Sequence, residues 1–287
     1  MQIVYAEEGR VLRSGLLAGA ASLIAASVFV AGATAQSAKA PPDFSSNRTA
    51  WQGGNGVNFA AVPGSPPPIT NDPKYPHVGN GEANRRGIQP TYRISDISNP
   101  NLKQWAKEVM KKDNDEVIAG KIGYTPGSSC KPWGVPAYML DGGPYYFVQT
   151  PKKVTIIHQG DTDVRHIYLN VPHSANVKPS WYGESVGHYE GDTLVVDTIG
   201  MNNKSFVDHF RTPHTEKLHV IERWKMIEDG KKLEVRITIE DQDTFNQPWQ
   251  VMLRWDRVQQ ELPEVICSEN NLHLFDYGMP VANKPDF

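Results

Sequence analysis

Between residues 145 and 258, eight short segments rich in β-branched and aromatic residues follow one another with no helical pattern between them. They are 145–149, 154–159, 164–169, 184–189, 193–198, 217–226, 232–240 and 249–258. Turn-forming runs such as Thr150-Pro151-Lys152, Gln159 to Asp163 and Glu228-Asp229-Gly230 separate several of them. Strands at this near-regular spacing, with no alternating helices, exclude βαβ units and predict an antiparallel wall. The expectation is a mainly β fold, a lipocalin-like barrel of about 140 residues, with a β-sandwich as the alternative.

The clearest hairpin lies within residues 179–200, where Glu190-Gly191-Asp192 joins two of the strands. Side chains alternate between faces, so Leu194, Val196 and Thr198 share one face and Val195 and Asp197 the other. If the second row faces inward, Asp197 is a buried carboxylate. Such a group needs a partner, because an unpaired one costs several kcal/mol or takes up a proton. That partner is either structural or part of a reaction.

The rest of the chain organises around this wall. Residues 36–99 are rich in Pro, Gly, Asn and Ser, with little apolar periodicity, and predict an irregular wrapping segment anchored by Trp51, Tyr75 and Tyr92. Arg85, Arg86 and Arg93 there read as solvated charges. From residue 100, Leu102, Trp105, Ala106, Val109 and Met110 recur at helical spacing behind Pro100, which predicts one amphipathic helix with its aromatic and Met positions in the core. A Pro/Gly-rich loop around Cys130 and Trp133 follows, and residues 145–287 make the β domain.

The N-terminus reads as a targeting segment. Arg10 and Arg13 precede an apolar run over residues 15–32, and Ala33-Thr34-Ala35 has the small-x-small cleavage pattern, so cleavage is expected after Ala35. The remaining chain of about 250 residues is expected in the periplasm or outside the cell, with no membrane attachment after cleavage. In such a compartment Cys130 and Cys267, the two cysteines of the chain, are expected to pair. The balance of 29 basic against 32 acidic residues shows no basic patch, which argues against nucleic acid as a partner and leaves small molecules.

Several short motifs recur together: Cys130-x-Pro-x-Gly-Val-Pro136, Gln149-Thr-Pro151, Arg165-x-Ile-Tyr168, Pro179-x-Trp-x-Gly-x-Ser-x-Gly187, Glu190 to Thr198, Pro213-His-Thr-x-x-Leu218, Glu222-Arg223 and Ile266-Cys-x-Glu-Asn-Asn271. In these the chain resembles a large family of exported, mostly uncharacterised bacterial proteins. The resemblance covers roughly residues 130–271 and implies an exported β domain; it brings no activity with it.

Strand parity supplies the candidate chemistry. Glu222 shares its face with Leu218, Val220 and Trp224, and Arg165 shares its face with Ile167 and Leu169, so both carry charge into apolar company. An inward Arg165 beside Asp197 or Glu222 makes a buried ion pair, which either pins strand register or serves a polar ligand. The expected reaction is acid–base chemistry without a cofactor on a small, partly apolar molecule, an elimination, isomerisation or hydration. Asp197 or Glu222 serves as base, His214 or Tyr168 as acid, and Arg165 stabilises developing negative charge. One alternative is a periplasmic carrier whose barrel holds an apolar ligand unchanged. Another is a metal-dependent hydrolase or lyase, for which His209, His214 and His219 are the candidate ligands although their spacing does not place them on one helix face. Gly183 to Gly187 has the letters of a GxSxG nucleophile elbow, but Ser185 falls inside a strand. Nucleotide cofactors are not expected, since neither a GxGxxG fingerprint nor a phosphate loop is present.

Overall fold

The computed structural model of the chain describes residues 40–45, 49–53, 58–88, 90–121, 125–160, 164–262 and 264–267. The targeting segment and its cleavage point after Ala35 lie outside them. Ten strands are present: β1 (Thr49–Gln52), β2 (Ala60–Ala61), β3 (Tyr145–Gln149), β4 (Lys153–His158), β5 (Val164–Leu169), β6 (Glu184–Glu190), β7 (Thr193–Ile199), β8 (His219–Ile227), β9 (Lys232–Glu240) and β10 (Trp249–Gln259). All eight expected strands form, each end within two residues of its expected place.

Neighbouring strands run β1-β3-β4-β5-β6-β7-β8-β9-β10, and β1 also pairs with β10, so these nine close into a barrel while β2 adds to β10 beside β1. Closure removes the free edges that an open sheet would expose. The closing strand comes from the segment expected to be irregular. Its register, Thr49↔Gln259 to Gln52↔Asp256 on one side and Trp51↔Tyr145 on the other, shows why a four-residue strand escapes notice: its partners lie far away in sequence.

One pairing departs from an antiparallel wall. β5 and β6 run parallel, with Ile167↔Ser185 and Leu169↔Gly187 in register. Parallel neighbours need a crossover rather than a tight turn, and residues 170–183 supply it. The β6–β7 hairpin forms as expected, with Glu190 opposite Thr193 and Gly191 at φ 62° in its turn.

Inward positions alternate along every long strand. Leu233, Val235, Ile237 and Ile239 of β9 and Trp249, Val251, Leu253 and Trp255 of β10 are all buried and join one hydrophobic cluster. Trp224 and Trp255 stack at 5.4 Å, with Phe147 edge-on to the first and Tyr145 edge-on to the second at 5.5 Å each. Such pairs contribute ~0.5–1.5 kcal/mol each beyond area burial. The space in which a carrier would hold its ligand is here a core of aromatic rings.

Outside the barrel are α1 (Asn80–Arg86), ending on left-handed Gly87, and α2 (Gln104–Ile118). The first was not anticipated. The second buries Ala106, Met110 and Val117, but Trp105 is 37% exposed and donates its indole N–H to the Asp243 carbonyl at 2.5 Å, a rim contact rather than the core position expected. Leu102 bridges to Phe245 and the Lys103 amide donates to the Thr244 carbonyl, so α2 lies over the loop joining β9 and β10. Asn114 ties α2 to the wrapping segment: its Oδ1 accepts from the Ser95 amide at 2.9 Å and its Nδ2 donates to the Ser95 carbonyl at 2.8 Å. Cys130 and Cys267 form the expected disulfide. Among the described residues no helix is long and apolar enough to cross a membrane.

Candidate functional site

Arg165 and Glu222 meet inside the barrel, as parity suggested. Arg165 Nη1 donates to Glu222 Oε2 at 2.8 Å and to the Tyr138 hydroxyl at 2.9 Å, and Nη2 lies 2.7 Å from Glu222 Oε1. Nη2 also donates to Thr198 Oγ1 at 2.8 Å and Ser185 Oγ at 3.1 Å, while Trp224 Nε1 donates to Glu222 Oε2 at 2.8 Å. Burial alone would disfavour the guanidinium, yet the Glu222 carboxylate and the Tyr138 hydroxyl hold its pKa above the ordinary arginine range. The hydroxyls of Ser185, Thr198 and Tyr138 and the Trp224 indole occupy this centre, which ties β5, β6, β7 and β8 together where the parallel pair interrupts the meander. Ser185, whose hydroxyl is engaged by Arg165, is buried and not presented as a nucleophile.

The other expected site residues lie elsewhere. Leu194, Val196 and Thr198 take the inward face of β7, so Asp197 points outward with its side chain 42% exposed and does not join Arg165. Tyr168 is 48% exposed, because Arg165, Ile167 and Leu169 take the inward positions of β5. His214 is buried in the loop between β7 and β8. Its Nδ1 faces the Thr215 carbonyl at 2.9 Å, which requires a proton there, so Nε2 accepts from Ser205 Oγ at 3.0 Å. Burial pushes its pKa down, and Ser205 beneath Gly134 is sealed as well. The proposed metal ligands also separate: His209 packs on Trp133 at 5.4 Å, His214 holds Ser205, and His219 opens β8 on the outer wall. Among the described residues no three His, Cys, Asp or Glu side chains are arranged to hold a metal ion.

The topology does build a concave site on the outside. With the interior filled, the crossover 170–183 passes over the outer face of β5 and leaves a cleft of about 420 Å³ against it. Val164, His166 and Tyr168 of β5 form one wall; Asn176, Val177, Lys178 and Trp181 of the crossover, with Glu184 at the start of β6, form the other. Val164 and Tyr168 of this wall are exposed large apolar or aromatic side chains. Gly183 lets the chain enter β6: it sits at φ 64°, and a Cβ there would lie 2.3 Å from the Ile199 carbonyl oxygen.

A row of ionisable side chains adjoins the cleft through Glu184. His173 Nδ1 lies 3.0 Å from Glu184 Oε1, and its Nε2 lies 3.1 Å from Asp197 Oδ1. His219 Nε2 reaches the same Asp197 oxygen at 2.9 Å, and its Nδ1 lies 3.2 Å from Glu240 Oε2. Ser174 donates its amide at 2.7 Å and its hydroxyl at 2.5 Å to Glu184. These hydrogen bonds, the Ser174 hydroxyl foremost, hold the Glu184 carboxyl below the usual carboxylate range. Each imidazole thus stands between two carboxylates, one strand step after another from β6 to β9.

Comparison with protein-family models, with curated proteins and with solved structures gives no match for this chain. His173, Glu184 and Glu240 were not singled out in the sequence. His219 stood on the face of β8 opposite Glu222 by parity, whereas Asp197 was expected inward; which residues lie side by side across four strands depends on register, and the sequence pattern does not print it.

Proposed function

We propose that this chain is an exported barrel protein that works on its outer wall, binding a small, partly aromatic organic acid in the β5 cleft and exchanging a proton with it. One observation carries the reading: the exposed side chains of Val164 and Tyr168 and the half-buried Trp181 share a cleft of about 420 Å³ with the ionisable groups His166, Lys178 and Glu184. That volume lies within the usual range for small-ligand sites, and such sites combine apolar walls with a few placed polar groups. Lys178 is placed to meet an anionic group, the Tyr168 and Trp181 rings to cover an apolar body, and His166 with Tyr168 to give or take a proton. Tyr168 keeps the acid role expected of it, in a different place. Export is supported by the N-terminal run and cleavage pattern and is compatible with the disulfide.

The test is a titration of the purified protein with small aromatic carboxylates, read by tryptophan fluorescence. Trp181→Ala and Tyr168→Ala should each weaken binding, and Lys178→Ala should weaken carboxylates more than the matching amides. Binding unaffected by all three substitutions sinks the cleft. For the chemistry, a bound acid is incubated in heavy water and its carbon-bound protons followed by NMR. Exchange that disappears in His166→Gln supports proton transfer, whereas a ligand recovered unlabelled leaves a binding protein.

A further inference from the structure

The crossover that forms one wall of the cleft is anchored at both ends, so its backbone is held against the barrel. At one end the Asn170 amide donates to the Gly187 carbonyl at 2.8 Å. At the other, Ser180 bridges to Met201 and donates its amide to the Gly200 carbonyl at 3.0 Å, and Tyr182 is buried in the core. Two side chains of opposite charge line the cleft from this wall, Lys178 and Glu184. Lys178 is exposed and, among the described residues, has no ion-pair partner. Glu184 is held ionised by the Ser174 hydroxyl at 2.5 Å and the Ser174 amide at 2.7 Å, which keep its carboxyl below the usual carboxylate range. A carboxylate has about four acceptor positions; Ser174 takes two, His173 Nδ1 at 3.0 Å faces a third, and acceptor capacity is left over. The row behind Glu184 does not cancel its charge, because three carboxylates there face only two imidazoles.

We infer that the cleft selects a zwitterion, a small aromatic molecule carrying an ammonium group as well as a carboxylate, with Lys178 meeting the carboxylate and Glu184 the ammonium. The inference rests on the reading of the cleft as a small-ligand site and narrows the class of ligand it takes. A plain aromatic acid gains at Lys178 but brings a second negative charge beside Glu184, and like charges in one site are penalised. A plain amine meets the mirror problem at Lys178. A ligand with both charges leaves neither side chain unanswered, so charge placement works for it and against the other two. An ammonium group only donates, which suits the acceptor capacity that Ser174 and His173 leave on Glu184. The Tyr168 and Trp181 rings cover the aromatic body as before.

Calorimetric titration of the full chain with pairs of ligands that differ only in the amine tests this. The pairs are phenylalanine against phenylpropanoate, with both charges at one end, and para-aminomethylbenzoate against para-methylbenzoate, with the charges at opposite ends of the ring. In at least one pair the zwitterion should bind roughly tenfold tighter than the acid at low salt, the scale of one charge-assisted hydrogen bond. Glu184→Gln keeps an acceptor oxygen but loses the charge; it should lower the zwitterion towards the acid, while the acid gains slightly from the lost repulsion. In the wild type the preference should also shrink as salt rises, a readout that needs no variant. Acids that bind as tightly as their zwitterionic partners overturn the inference and leave the cleft a site for acids. So does a preference that survives Glu184→Gln or is indifferent to salt. If neither acids nor zwitterions bind, the cleft itself is removed, and the inference with it.

Discussion

Arg165 and Glu222 illustrate how a charged pair can be legible in sequence and still be misread in purpose. Alternation along β5 and β8 placed both inside, and both are inside. What alternation does not reveal is what else points to the same spot, and here Tyr138, Ser185, Thr198 and Trp224 occupy the positions a substrate would need. Removing one partner leaves the other charged and buried, so Glu222→Gln should lose ~3–5 kcal/mol of stability, measured by urea unfolding. The double variant Arg165→Met with Glu222→Leu should lose less than that single one, since no charge remains to be desolvated. A second buried group responds to pH. Asp208 accepts from the Phe210 and Thr212 amides, yet burial pushes its carboxyl up to about 6 from 3.8. Because the folded-state value is the higher one, this residue favours the fold fully below the unfolded value, and that contribution is lost as pH rises through about 6. Asp208→Asn does not titrate, so its stability relative to the wild type should improve between about pH 4 and about pH 7.5, by up to ~3 kcal/mol at ~1.36 kcal/mol per unit.

At the scale of elements, the crossover 170–183 decides where a site can be. A barrel made only of hairpins would have presented its mouth; the parallel step from β5 to β6 instead carries a chain across the outer wall, and the cleft lies beneath it. Entry into β6 depends on Gly183, whose positive φ and crowded surroundings leave no room for a side chain. Gly183→Ala should therefore cost ~2–4 kcal/mol, combining left-handed strain with overlap against the Ile199 carbonyl. Gly191, in the β6–β7 turn, has φ 62° but open space around it, so Gly191→Ala should cost only ~1–2 kcal/mol by the same denaturant midpoints. The eight long strands were legible because their β-branched and aromatic runs are bounded by turns. The crossover was not, since residues 170–183 carry no periodic pattern and strand direction leaves no mark in composition. The short strand β1 was hidden for a related reason: four residues are too few to display alternation, and its place is set by β10 and β3.

For the whole molecule, closure and the disulfide divide the work of holding the ends together. Hydrogen bonds from β1 to β10 and β3 close the ring, but the seam with β3 has a single residue pair in register, Trp51 with Tyr145. Cys130 precedes β3 and Cys267 follows β10, so the bond between them spans 137 residues and encloses the whole run of strands from β3 to β10. In the chain-entropy picture a crosslink of that span restricts the unfolded chain and contributes ~5 kcal/mol, the exact share depending on residual structure in that state. The native contacts of the barrel do not require it, because the strand pairings and the aromatic core lie away from the sulfurs. Reduction, or the double change Cys130→Ser and Cys267→Ser, should therefore leave the far-ultraviolet circular dichroism of the barrel intact at low temperature while lowering the urea midpoint substantially. A reduced protein that unfolds at the same midpoint would mean that β1 alone keeps the ends together, and one that loses its β signal without denaturant would mean that the seam at Trp51 cannot hold the barrel closed.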